Sequence, residues 1–157
     1  MNTRIEADAS ASTLYERTFG RAYRRTPHSL ATEVEGLREL GEFTDRDAWR
    51  LVICQSIDTY DSRRKWGTLH DAIATFEDEP APSGHAGLDA ATAALTEYLA
   101  HRDGWDAPSW AQSESRVASQ PWVVGTLPTA RLRAVQEAPA EFAQRGVYVS
   151  PSDLVRV

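Results

Sequence analysis

With 157 residues, 41% of them apolar, and five tryptophans, the chain suffices for one domain or two small helical lobes sharing a core, which excludes wholesale disorder. A formal net charge of −6 and a pI near 5.2 argue against an extended nucleic-acid footprint, which draws on clustered Lys and Arg, but leave room for a local basic patch. No apolar run approaches the roughly 20 residues that span a bilayer, and the single cysteine, Cys54, precludes an internal disulfide.

The N-terminus lacks the apolar core of a signal peptide, so the expected compartment is the cytoplasm. Thr13 and Glu16 have capping-box spacing, which predicts a helix over 14–26 that Pro27 ends. Arg21, Arg24 and Arg25 fall in its last turn. Ser29 caps a second helix, 30–40, with Leu30, Val34, Leu37 and Leu40 on one face and Gly41 positioned to close it. Thr44 opens a third, 45–60. Its apolar residues lie nearly all round, so it is expected to be the central, most buried helix, with Cys54 an inert thiol inside it.

Residues 61–68 read as a basic turn containing Arg63, Arg64, Lys65 and Trp66. A short helix over 69–76 follows Thr68. The acidic, Pro- and Gly-bearing stretch after it predicts a division into an N-terminal lobe (1–78), a linker (79–86) and a C-terminal module (87–157). The module opens with a helix over 87–102, closed by Gly104. Further helices are expected at 109–118, 128–136 (opening at Pro128), 139–144 and 151–155. Residues 146–149 alternate like a strand. One strand alone makes no sheet, so it either packs as an extended edge or pairs with 122–124. The expected fold is all-α, a compact bundle of short helices with one short β element.

No nucleotide-binding, nucleophile-elbow or metal-ligand motif is present, and no cofactor is implied. His28, His70, His85 and His101 are never three or four residues apart, so no helical zinc pair forms. Most carboxylate clusters sit at helix starts or on polar faces, where the dipole or solvent accounts for them. The exception is Asp58 with Asp61, at the end of the apolar helix. Two readings fit Arg63, Arg64, Lys65 and Trp66: a solvated turn, or a contact in which Trp stacks and the cations grip an acidic partner or phosphate.

Tyr98, Pro108, Trp110, Pro121, Trp122, Ala138, Pro139, Phe142, the run Arg145 to Val149, and Asp153 with Leu154 form a pattern of core and corner residues. Over roughly 88–157 this pattern resembles a module common in actinobacterial proteins that look like antitoxins of toxin–antitoxin pairs. Such proteins often carry a helix-turn-helix ahead of the module. The resemblance implies a protein partner, a cognate toxin, and carries no catalytic motif. This chain departs from the DNA-binding members, because its helix 45–60 begins with Asp45 and Asp47, whereas a recognition helix presents basic and polar residues there. The leading expectation is a non-enzymatic antitoxin-like protein contacting its partner through Arg63, Arg64, Lys65 and Trp66, with Trp105 and Trp110 as further contacts. The alternative is a transcription regulator using the same basic patch on DNA. A third is a metal-dependent, nucleotide-acting enzyme using Asp58, Asp61 and His70.

Overall fold

The computed structural model describes residues 28–155. The helix expected over 14–26, with Arg21, Arg24 and Arg25, lies outside the described residues. Helix α1 (Leu30–Glu39) starts at a capping box in which the Ser29 hydroxyl accepts from the Thr32 amide. Gly41 follows at φ 79, the left-handed conformation that glycine adopts without a Cβ penalty. Helix α2 (Asp45–Ala48) starts at a second capping box, Thr44 with Asp47. It runs without a break through a π-helical stretch, Trp49–Cys54, into α3 (Gln55–Trp66). A third capping box, Thr68 with Asp71, starts α4 (Leu69–Ile73), and a 3-10 turn (Ala74–Phe76) completes it.

Helix α5 (Ala86–Asp103) is the centre of the molecule, and this corrects the expectation for the helix over 45–60. Eleven of its positions are buried, against three in the π stretch and three in α3. Alanine and threonine at 90–94 and 96 let neighbours approach on every side, while Leu88, Leu95 and Leu99 each contribute about 2 kcal/mol by leaving water. The buried Thr92 and Thr96 hydroxyls donate to the helix's own carbonyls of Asp89 and Thr92, so neither is left unsatisfied. Around α5 pack the π stretch, a 3-10 turn (Ser109–Gln112), α7 (Ala140–Ala143) and strand β2 (Val147–Tyr148). Residues from Leu30 to Leu154 belong to one hydrophobic cluster, to which both sides of the 79–86 segment contribute. Within that segment Pro80 and Ser83 are buried.

The β element forms as a two-stranded parallel sheet, β1 (Trp122–Val123) with β2, in the register Trp122 to Val147 and Val123 to Tyr148. Parallel strands need a crossover. Helices α6 (Pro128–Glu137, with Pro at its start) and α7 supply it. The chain is therefore mostly helical with one short β element, as expected. The last turn is a 3-10 helix, Pro151–Leu154.

Two expected elements differ. Residues 61–66 are helical, because α3 continues to Trp66 instead of turning at Asp61. Residues 113–118 are not helical, and two of their carbonyls, those of Ser113 and Arg116, accept from a side chain instead. Arg145, 8% exposed, donates to the carbonyls of Ala111 (2.6 Å), Ser113 (3.0 Å) and Arg116 (2.8 Å). Its other donors reach the Glu97 carboxylate on α5. Arg116, 7% exposed, repeats the device on the other side: it donates to the Pro80 carbonyl (2.7 Å) and the Thr92 hydroxyl (3.2 Å), and lies 5.1 Å over the Trp110 ring. A guanidinium offers five N–H donors in a fixed plane, which suits one side chain to several carbonyls.

Arg145→Ala strands the Glu97 carboxylate and three carbonyls, so chemical denaturation is expected to show a loss of about 3–5 kcal/mol, with Arg145→Lys recovering only part of it. The Ser56 hydroxyl is fully buried in α3 and has no hydrogen-bond partner among the described residues. Ser56→Ala removes that desolvated group and is expected to raise the urea midpoint, by about 1 kcal/mol in stability.

Candidate functional site

The C-terminal end of α3 carries the four cationic and aromatic residues singled out by sequence, and the fold divides them. Arg63 donates to the Thr75 hydroxyl (2.9 Å), tying α3 to the 3-10 turn after α4. Arg64 pairs with Asp103 (3.0 Å) at the end of α5. These two arginines hold elements together. Lys65 instead lies 5.1 Å over the ring of Trp66, and Trp66 is 79% exposed. Helical geometry out to Trp66 makes this pair a fixed projection from the helix end. The extended helix thus changes what the basic segment is: two tethers and one exposed cation–aromatic pair.

Trp105 and Trp110 face inward. The Trp110 indole N–H donates to the Phe76 carbonyl (3.0 Å), and its ring is 8% exposed. Trp105 packs on Phe76 and Tyr60, with ring centroids 6.3 and 6.2 Å away. Its N–H donates to the Tyr60 hydroxyl (2.8 Å). Trp110 therefore has no surface with which to meet a partner, and Trp105 is half-buried.

Beneath Arg64 lies a satisfied polar network. The Tyr60 hydroxyl donates to Asp103 (2.6 Å), which also receives both arms of Arg102 (3.0 Å each). Burial opposes the charge on Asp103, but the Arg102 and Tyr60 hydrogen bonds outweigh it and hold the carboxyl below the usual range. Tyr60 is pushed up to about 12, by burial first and by its bond to Asp103 second. Such a network favours rigidity at the junction of α3 and α5. Asp61 engages Arg102 (3.5 Å), and His70 is exposed in α4. Among the described residues no three His, Cys, Asp or Glu side chains are grouped so as to hold a metal ion.

A large cleft lies at the other end of the same helical run. It measures about 720 Å³ and lies between α2 with the π stretch on one side and β1 with the loop after it on the other. The size is within the range of small-molecule sites. π-Helical stretches often accompany functional positions, because the wider turn re-aims side chains. Here Trp49, the first π residue, meets Trp122 of β1 edge to face, with centroids 5.8 Å apart and planes at 82°. Trp122 is fixed from behind by His85, 4.8 Å away. His85 Nδ1 accepts from the Leu88 amide at the start of α5, so its hydrogen is on Nε2, which donates to Asp45 (2.7 Å). Gly87 permits this stacking, since a Cβ there would sit 2.9 Å from Trp122 Cε3 and 3.0 Å from His85 Cε1.

Arg46, Arg50 and Arg131 line the same cleft. Arg131 on α6 donates through one nitrogen to the carbonyls of Val123 (3.0 Å) and Gly125 (3.2 Å), shaping the loop after β1. Sequence reasoning did not single these residues out as a site. The only signal was the spacing of four between Arg46 and Arg50 on one helix. Their union with Arg131 and Trp122 depends on long-range packing. Among the described residues no helix is long and apolar enough to cross a membrane. No protein-family model, curated protein or solved structure matches the chain.

The alkaline limb of stability reports on the Tyr60 network. Unfolded, Tyr60 loses its proton near 10; folded, it holds it to about 12. The stabilisation is therefore complete below pH 10 and is lost as pH rises toward 12. Denaturation at successive pH values should show about 1–2 kcal/mol disappearing across that window in the wild type. In Tyr60→Phe that component should be missing.

Proposed function

We propose that this is a protein-binding module of antitoxin type, which neutralises a cognate toxin in the cytoplasm by direct contact, and that the Lys65–Trp66 pair anchors the contact. The observation that carries the reading is the 79% exposure of Trp66 beside Lys65, at a helix end whose neighbouring arginines are already engaged. A large exposed aromatic with a cation stacked on it loses little side-chain freedom on binding, and Trp is the residue most enriched among interface anchors. Leu69, 39% exposed, stands at the start of the following helix, α4. The resemblance of residues 88–157 to antitoxin-like modules supplies the class of partner. Arg63 and Arg64 contribute by positioning the helix end, and Trp105 by packing beneath it.

The regulator reading asks for several free cations on this surface, and the engagement of Arg63 and Arg64 reduces that number. The experiment is capture of the product of a neighbouring toxin gene by tagged protein, with nuclease treatment in parallel. Trp66→Ala with Lys65→Ala is expected to weaken capture at least tenfold, while the thermal melt stays within a degree or two of wild type. Undiminished capture removes this surface from the proposal. Retained material that disappears with nuclease replaces the proposal with the regulator reading, and an activity lost on chelation replaces it with the enzyme reading.

A further inference from the structure

We propose that the cleft at the π-helical stretch is a binding site for a nucleotide, with the phosphate held by Arg46 and Arg50 and the base placed against Trp49, which Trp122 backs. The site is separate from the Lys65–Trp66 surface and does not depend on the antitoxin reading. Neither Lys65 nor Trp66 lines it.

Three observations converge. The first is charge. The protein carries a formal net charge of −6, yet the cleft collects Arg46, Arg50 and Arg131 against two carboxylates, Asp45 and Asp153. Asp45 is already bonded to His85 Nε2. Arg46 and Arg50 make no ion pair among the described residues; both act electrostatically on Asp47, whose carboxylate accepts from the Thr44 amide and does not line the cleft. Two unpaired guanidinium groups four residues apart on one helix face offer planar forks to one phosphate group.

The second is the aromatic wall. Trp122 is 9% exposed and is held in place by His85 behind and Trp49 at its edge. Trp49 is half-buried and borders the cleft. The half-buried Trp49 indole can accept any base by stacking, and Trp122 behind it keeps that ring in place, so the wall selects a planar group without demanding one base. The third is preformation. Arg131 ties the loop after β1 by its carbonyls at Val123 and Gly125, using one nitrogen. Its remaining guanidinium donors have no protein partner among the described residues. They sit at the lip of a cleft whose volume of about 720 Å³ accommodates a nucleotide with its hydration.

The shared chemistry is a phosphate joined to a planar base, and it is met by a free mononucleotide or by the 5′ end of an oligonucleotide. The full chain is titrated calorimetrically with adenosine 5′-monophosphate, adenosine, inorganic phosphate and 5′-phosphorylated tetra-adenylate. The expected result is saturable binding of the monophosphate or the oligonucleotide with Kd below about 1 mM, and binding of adenosine and of phosphate at least tenfold weaker. The double variant Arg46→Ala/Arg50→Ala should weaken binding a further tenfold or more with an unchanged melt, and Arg133→Ala, an exposed α6 residue outside the cleft, should leave it intact. Tighter binding of the oligonucleotide assigns the site to nucleic-acid ends, and tighter or equal binding of the monophosphate assigns it to free nucleotides. No saturable binding of either, phosphate binding as tight as the monophosphate, or a double variant indistinguishable from wild type overturns the proposal.

Discussion

The structure depends on a guanidinium buried where a helix would otherwise have run. Arg145 joins the Glu97 carboxylate of α5 to the carbonyls of Ala111, Ser113 and Arg116. Irregular backbone close to a core is costly because its polar groups have lost water, and the cost falls away only if each finds a partner. Arg145 supplies those partners, and Arg116 does the same for the segment at Pro80. Once the irregular chain is held, Trp110 and Phe142 reach the core, and β1 and β2 come into register around the α6–α7 crossover. A buried ion pair is weak support for stability by itself. Here its value is placement: one cation fixes several stretches of chain that share no secondary structure.

What the sequence made legible follows from local physics. Ser29, Thr44 and Thr68 each open a helix by the predicted capping reaction, because the cap and its N3 partner are three residues apart and need nothing from the rest of the chain. Gly104 closes α5 in the left-handed conformation, and Pro128 and Pro139 stand where helices start, for equally local reasons. The failures are non-local. Arg63 and Arg64 read as part of a basic turn, solvated or free to meet a partner, yet Thr75 and Asp103 bind them and α3 runs on through them. Residues 113–118 read as helix, but the carbonyls of Ser113 and Arg116 meet Arg145, 32 and 29 residues later in the chain. Arginine is ordinarily a surface residue, so neither Arg116 nor Arg145 signalled burial. The small side chains of α5 disguised its central position, since a helix of Ala and Thr carries a weak apolar pattern while packing closely on every side.

The candidate sites were legible to unequal degrees. Lys65 and Trp66 stand adjacent in sequence and remain adjacent and exposed, so a reading by proximity located them. Trp105 and Trp110 have the same residue type but face Phe76 and Tyr60, a difference that composition cannot carry. The cleft was invisible, since Trp49 and Trp122 are far apart in the chain and meet only through the π stretch and the His85 stack. The two surfaces occupy opposite ends of one continuous helical run, with Trp49 and Trp66 about 25 Å apart along its axis. The run is held near one end by the Tyr60–Asp103 network and at the other by Trp49 against Trp122 and Asp45 against His85.

The central claim is that residues 30–154 form one cooperative unit, held across the 79–86 segment by the shared hydrophobic cluster and by the Tyr60–Asp103 and Trp110–Phe76 hydrogen bonds. Native-state hydrogen exchange over a denaturant series tests it most directly. The account predicts that the most protected amides of α1, α3, α5 and β2 all exchange through a single global opening of equal free energy. A distinct, lower-energy opening confined to residues 30–78, with α5 and β2 still protected, would contradict it.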